Sequence, residues 1–468
     1  MKTTGLTGLV ITGSVLLAST QVLAQDESAT VESLDQRIRI LERQLELQKE
    51  EAETKAKDAT TASAGDRGYA LKKGDFELKI KGLIQADGRF FLDDQAPRVN
   101  DTFTLRRLRP TFEGSLGKLV GFRLTPEFAG DGATIVDAYV DLKFDPAATV
   151  RAGKVKGPVG LERLQSGAAT TFIERGYPTE LAPNRDIGVQ LQGDLFGSTL
   201  NYTLGYYNGT ADGRDAASRD VDNRKEIGAR LFAEPFKNSP GVLQGLGFGI
   251  GGTHGSKFSN AVGTNGALPQ LRTPGQNTFF QYIAGSAATV SNVGGVATPV
   301  AAVPGVSANG DHTRYSPQLY FYNGSFGLLS EYISSEQTLI RSGVERDIEN
   351  TAWQVVTSYV LTGEDAGFRG VTKPQGKWGA VEVAARYGTL DVDDAAFEGT
   401  GTNRFANRHQ QASEATSYGI GVNWYLTSNA KLVLNYDQTS FEGGAGTAAA
   451  PVDREDEKAV FGRIQLSF

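Results

Sequence analysis

Phe76-Glu77-Leu78-Lys79-Ile80-Lys81-Gly82-Leu83-Ile84-Gln85 is the stretch that decides the fold. Phe76, Leu78, Ile80, Gly82 and Ile84 alternate with Glu77, Lys79, Lys81, Leu83 and Gln85, a period of two that only a β-strand presents as two separate faces. The pattern recurs. Leu108, Pro110 and Phe112 alternate with Arg107, Arg109, Thr111 and Glu113, and Phe122, Leu124 and Phe128 with Arg123, Thr125 and Glu127. Val136, Ala138, Val140, Leu142 and Phe144 alternate with Asp137, Tyr139, Asp141 and Lys143. Each segment carries one apolar face and one polar or charged face. A closed barrel in lipid satisfies both at once, with the apolar face to the bilayer and the charged face to a wet lumen.

Connections between such segments alternate in length. Short ones fall at Gly117-Lys118, 145–148, Gly197-Ser198, 323–325 and 427–429, and long ones at 157–186, 209–224, 257–312, 391–413 and 442–455. Outer-membrane barrels place short turns in the periplasm and long loops outside. Counting by this rule predicts sixteen strands, near 76–90, 104–116, 119–129, 135–145, 149–156, 187–196, 199–208, 225–235, 246–256, 313–323, 326–336, 350–361, 377–390, 414–426, 430–441 and 456–468. Phe279-Phe280-Gln281-Tyr282 leaves room for a further hairpin and a count of eighteen. The last segment ends on Phe468, which resembles the terminal assembly signal of outer-membrane proteins. The expected class is all-β, a 16-stranded antiparallel transmembrane β-barrel with a short N-terminal coiled-coil helix. A mean hydropathy of -0.29 excludes a helical membrane bundle and is compatible with strands that show lipid only every second residue.

Ahead of the barrel, Lys2, the apolar run from Gly8 to Leu17 and Val22-Leu23-Ala24 match a secretory signal peptide. Cleavage is expected after Ala24, which sends the protein out of the cytoplasm. Val31, Leu34, Ile38, Leu41, Leu45 and Ala52 step by three and four, the seam of a coiled coil. The expected organisation is a signal peptide over 1–24, a periplasmic coiled-coil segment over 25–60, a linker over 61–74 and the barrel over 75–468.

Several chemistries are excluded or disfavoured. Cys is absent, so neither disulfide nor thiolate site exists. His254, His312 and His409 lie far apart, at strand ends or in outer loops by this count, and make neither a metal site nor a nucleophile–base pair. No metal and no cofactor are expected. A formal net charge of -7 argues against nucleic acid as a partner. Gly247-Phe248-Gly249-Ile250-Gly251-Gly252 matches a dinucleotide fingerprint in letters, but no helix follows it. Glycines at alternate strand positions are expected to face a crowded neighbour instead.

The informative cluster is basic. From Arg98 to Arg185 there are thirteen Lys and Arg against ten Asp and Glu. Lys79 and Lys81 share the inward face of the first strand. Arg107 and Arg109 share that of the second, with Arg106 beside them, and Arg123, Lys143 and Arg151 follow on the next three. Lys154, Lys156, Arg163, Arg175 and Arg185 stand in or beside the long connection after the fifth. These thirteen are the expected anion-binding and pore-lining residues. The expected function is passive diffusion of small anions, with a general pore or a structural anchor to the cell wall as the other readings.

Arg151-Ala152-Gly153-Lys154-Val155-Lys156-Gly157-Pro158-Val159-Gly160-Leu161-Glu162-Arg163 resembles the third-loop segment of the phosphate-selective porin O and P family. Phe172-Ile173-Glu174-Arg175-Gly176-Tyr177-Pro178, Asn184-Arg185-Asp186-Ile187-Gly188 and Tyr359-Val360-Leu361-Thr362-Gly363-Glu364 resemble further segments of it, in the same order. The resemblance runs from about residue 75 to 468. It implies a homotrimer of sixteen-stranded barrels in the outer membrane, inward-folded loops, a ladder of Arg and Lys, and phosphate or polyphosphate as cargo. Lys154 and Lys156 occupy places where the family has basic constriction residues, and Arg106, Arg107 and Arg109 a strand that supplies ladder residues. The coiled coil departs from the best-known members.

Overall fold

The computed structural model describes residues 27–468 apart from 67, 93–99, 131, 218–219, 221, 260–267 and 294–295. The expected signal peptide lies outside the described residues. The chain divides into two compact units, one ending at Ala59 and one beginning at Thr60. The first contains a helix, α1, over Glu27–Asp58. Its seam residues Leu34, Ile38, Leu41 and Leu45 are all exposed in the single chain.

The second unit is a closed antiparallel barrel of sixteen strands. They are β1 Phe76–Phe91, β2 Thr102–Leu116, β3 Val120–Glu127, β4 Thr134–Asp145, β5 Ala148–Val155, β6 Asp186–Leu195, β7 Leu200–Tyr207 and β8 Glu226–Ala233. There follow β9 Leu246–Phe258, β10 Ser307–Asn323, β11 Phe326–Arg341, β12 Val344–Val360, β13 Ala380–Asp391, β14 Ala412–Tyr425, β15 Ala430–Thr447 and β16 Glu457–Ser467. Closure comes from β16 on β1, with Leu466 opposite Ile84 and Phe461 opposite Arg89.

Side-chain parity follows the sequence pattern. Ile84 and Phe90 are exposed on the outer face, whereas Gln85, Asp87 and Arg89 are buried inside. Leu105, Leu124, Val140, Leu204, Ile420 and Ile464 continue an exposed apolar band, far more than a soluble protein leaves in water. We expect Leu124→Arg to cut the yield of folded, heat-modifiable barrel at least tenfold, since Arg near the bilayer midplane costs roughly 2–4 kcal/mol. Arg123→Leu, one residue away on the opposite face, should assemble normally. Equal losses from both would show the parity to be wrong.

The structure departs from the sequence reading in four places. The stretch read as a linker forms a hairpin, Thr61–Gly65 with Gly68–Lys73, whose second strand pairs with β1 through Tyr69 opposite Ile80 and Lys73 opposite Phe76. β16 reaches only to Leu83 of β1, so the first residues of β1 would otherwise be an open edge, and the hairpin covers them. Residues 337–349, read as a loop, belong to β11 and β12, which run on to a two-residue turn at Ser342-Gly343. Both residues have positive φ, 52° and 82°, as a tight hairpin of this twist requires. Phe279-Phe280-Gln281-Tyr282 does form strand, Thr278–Gln281 against Gln270–Arg272, but outside the barrel sheet, so the count stays at sixteen. His312 lies inside β10, buried, beside Ser335 and Arg314, rather than at a strand end.

Candidate functional site

The connection between β5 and β6, residues 156–185, folds into the lumen. It contains two single-turn helices, α2 Leu161–Leu164 and α3 Pro178–Leu181. A chain buried there must bond its backbone polar groups, and the barrel wall supplies the partners. The Glu331 carboxylate accepts from the N–H of Leu161 (2.5 Å) and Glu162 (3.2 Å). Gln85 donates to the Gly167 carbonyl (2.9 Å), Gln465 to Ala168 (3.0 Å), Lys431 to Thr170 (3.0 Å) and Asn423 to Thr171 (2.9 Å). Asn435 accepts from Ile173 N–H (2.8 Å), Arg463 donates to Ile173 O (3.0 Å), and Arg386 to Glu174 O (2.7 Å). The loop is thereby stitched across the pore to β1, β11 and β13–β16.

Loops from the long-connection end bury the same side further. Tyr177, Leu181, Leu271, Phe279, Phe280 and Phe405 form one apolar cluster with wall residues Ile333, Leu339, Ile348 and Leu390. From the other end, the connection 361–379 breaks the short-turn rule. It carries Phe368 inward, where its carbonyl accepts from Gln165 Nε2 (2.8 Å). The space left is a cavity of about 720 Å³, lined mainly by strands β1–β8, with Tyr320 of β10. The loops therefore press the open path against the basic part of the wall.

Six of the thirteen expected residues line that cavity: Lys81, Arg109, Arg123, Arg151, Lys156 and Arg185. Lys79 pairs with Glu77 (3.0 Å) and is half exposed. Lys143 is exposed near the end of β4. Arg106 and Arg107 both reach the loop because β2 bulges there: Gln85 faces Arg107, Ala86 faces Leu105, and Arg106 is the extra residue. Arg163 donates to Asn184 (3.1 Å) and to the Thr179 carbonyl, and Arg175 to the carbonyls of Glu162 (2.9 Å) and Gln165 (2.8 Å), so both brace the loop from within. Lys154 sits opposite Ala138 with outward parity, and its amine donates to Ala216 O (3.2 Å). It does not line the cavity, because a strand's alternation separates it from Val155, which does.

Five acids of this region are taken up by arginine or lysine, whereas Glu162 and Glu331 accept from backbone N–H groups and from Gln354. Glu174 binds Arg89 (2.5 Å) and Arg106 (2.6 Å), Glu127 binds Arg109 (2.5 Å), Asp141 binds Arg151 (2.7 Å). Asp137 binds Arg185 (3.2 Å), and Glu113 binds Lys81 and Arg123. Burial raises the Glu174 carboxyl, but Arg106 and Arg89 outweigh it and hold it well below the ordinary carboxylate range. A second set of cations meets only neutral oxygens among the described residues. Lys156 donates to the carbonyls of Leu164 (3.0 Å) and Gln165 (2.9 Å), Arg107 to Gln85 (2.5 Å), Arg230 to Gln318 (2.9 Å) and Lys431 to Thr170. Burial, then the nearby Arg185 and Arg175, push the Lys156 amine well below its usual range. Burial and Arg163 push Arg175 down to about 9. Lys156 and Arg175 thus stand among cations that disfavour their charge, a local excess of positive charge.

Arg230, Arg386, Lys431 and Arg463 were not among the expected residues. They follow the inward parity of β8, β13, β15 and β16, a signal present in the sequence, although the role of three of them in holding the loop is not.

A sixteen-stranded barrel narrowed by an inward loop, with a basic lining, is a membrane channel of the porin class. The chain matches the family model described as phosphate-selective porin O and P over residues 78–468, and it belongs to that family, which consists of channels, not enzymes, of the outer membrane. It is 23% identical over 403 residues to Porin O of Pseudomonas aeruginosa, covering 82% of this chain and 87% of that one. Among solved structures, OmpT of Vibrio cholerae in its trimer form superposes with a TM-score of 0.50 at 12% identity, covering 84% of this chain and 99% of OmpT. The outer-membrane channel DcaP of Acinetobacter baumannii gives 0.50 at 12%, covering 85% and 99%. These two likenesses concern the fold.

Proposed function

We propose that the protein carries small anions, phosphate or related oxyanions first, by passive diffusion into the periplasm, through the constriction built by Lys156, Arg109, Arg123, Arg151 and Arg185. One observation carries this reading: Glu113, Glu127, Asp137, Asp141 and Glu174 are each bound by arginine or lysine, while Lys156, Arg107 and Arg230 donate only to neutral oxygens. An entering anion supplies the countercharge these groups lack. Charge-assisted hydrogen bonds contribute about 1.5–3 kcal/mol each. Several adjacent donors hand the ion on without trapping it, as conduction requires. The functional unit is a homotrimer in outer-membrane lipid, as in the neighbour solved as a trimer, with the short turns and α1 in the periplasm. The exposed seam of α1 packs against the same seam of the other copies.

The test is the reversal potential of the protein in planar bilayers across a KCl gradient, repeated with added phosphate. The expected result is anion preference and block of the chloride current by phosphate. The preference should weaken as pH rises, because Lys156, lowered from its usual range, loses its proton as pH passes through that lowered value. Cation preference, or no phosphate block, would reduce the protein to a general pore.

A further inference from the structure

Strands β8, β9 and β10 form a part of the lumen wall unlike the rest. The first three inward positions of β9 are Gly247, Gly249 and Gly251, three of the four glycines of the fingerprint-like motif, so this half of the strand contributes a bare floor. A Cβ on Gly247 would lie 2.6 Å from the Tyr320 ring and 2.8 Å from the Phe232 ring, and one on Gly249 2.7 Å from Phe232. The missing side chains let β8 and β10 meet across the floor. Arg230 donates to Gln318 (2.9 Å), and the rings of Phe232 and Tyr320 come to 5.1 Å. Phe368 stacks on Tyr320 at 5.4 Å with 24° between the planes, and the Arg230 guanidinium lies over Phe232 at 4.4 Å. Arg230, Phe232, Tyr320 and Phe368 all line the 720 Å³ cavity whose other wall is the basic row. Glu234, at the edge of the shelf, is engaged by the Tyr320 hydroxyl (2.8 Å) and Lys237 (2.7 Å).

Inorganic phosphate has no use for a ledge of rings. We propose that this shelf binds the flat apolar body of an aromatic anion, an aryl phosphate or aryl carboxylate, whose charged head is held by the basic row. This rests on the anion-pore reading and names a further substrate class for the same cavity. A cavity of this size holds a molecule with a ring and a charged head. Ring faces and a guanidinium over an aromatic plane are the chemistry that recognises a flat, electron-rich body.

The experiment compares phenyl phosphate with inorganic phosphate as blockers of chloride current through the full-length protein in bilayers. Phenyl phosphate should block at about tenfold lower concentration, a preference equivalent to 1.4 kcal/mol. In Phe368→Ala and in Arg230→Gln that preference should shrink to about twofold. Should Phe368→Ala fail to assemble, Phe368→Leu, which keeps apolar bulk against Tyr320 but has no ring face, should show the same loss. Equal block by the two anions in the wild type, or a preference that survives all these variants, would overturn the shelf while leaving the phosphate pore standing. No block by either anion would overturn both.

Discussion

Lys156→Glu should turn the reversal potential toward cations and lower the anion-to-cation permeability ratio at least tenfold. Lys156 lines the cavity, and its amine donates only to carbonyl oxygens; the nearby carboxylate, Asp137, is bound by Arg185 (3.2 Å). A unit charge about 4 Å from a permeating ion contributes about 4 kcal/mol at an effective dielectric near 20. Reversing the sign doubles that difference, and desolvation of the ion cancels much of it. What remains still exceeds the 1.4 kcal/mol of a tenfold change. Lys154→Glu, two residues away, is the control. Its parity places it on the other face of β5, with its amine on Ala216, and it should move the ratio less than twofold. Measured in the same KCl gradient, wild-type selectivity in Lys156→Glu would end the constriction assignment. An equal effect from Lys154→Glu would mean that distance from the lumen does not matter, and that the selectivity is set at the mouths.

Glu174→Leu should open the pore, with single-channel conductance rising at least twofold and phosphate block weakening. Glu174 holds Arg89 and Arg106 together on the loop, both within 2.6 Å, and it is itself buried. Removing one partner of a buried ion pair leaves an uncompensated charge and costs about 3–5 kcal/mol. Here Arg106 loses its bound carboxylate, and Arg89 keeps only Asp87 (3.2 Å). The wall bonds to residues 167–174 are individually about 1 kcal/mol, so the repulsion is large enough to lift this part of the loop off β13–β16. Unchanged conductance would show that the stitching alone holds the loop. Because the Glu174 carboxyl is held below the ordinary range, the clamp should persist above that range and be lost only as pH falls well below it.

The family likeness directs attention to the third-loop lysines as a pair, and the geometry separates them: Lys156 faces the cavity and Lys154 faces away. A bulge explains the opposite case, in which two neighbours, Arg106 and Arg107, both turn to the loop although a regular strand would send them to opposite faces.

Whatever depends on neighbours along one chain can be read from the residues alone. The period of two in Phe76–Gln85 and its repeats set the strands, their inward and outward faces and the count of sixteen, because lipid on one side and water on the other repeat with every second residue. The basic row on β1–β5 is legible for the same reason, and the helix α1 from its separate steps of three and four. The tertiary structure alone decided which cations remain without a carboxylate, which loops enter the lumen and which wall holds them. Ile173 meets Asn435, and Gln165 meets Phe368, across separations for which no local pattern exists. Those meetings depend on barrel closure, on the path of loop 156–185 and on the bare glycine floor of β9. A buried polar loop takes the path along which all its backbone groups find partners at once, and that requirement is satisfied by the assembled wall, not by any single segment.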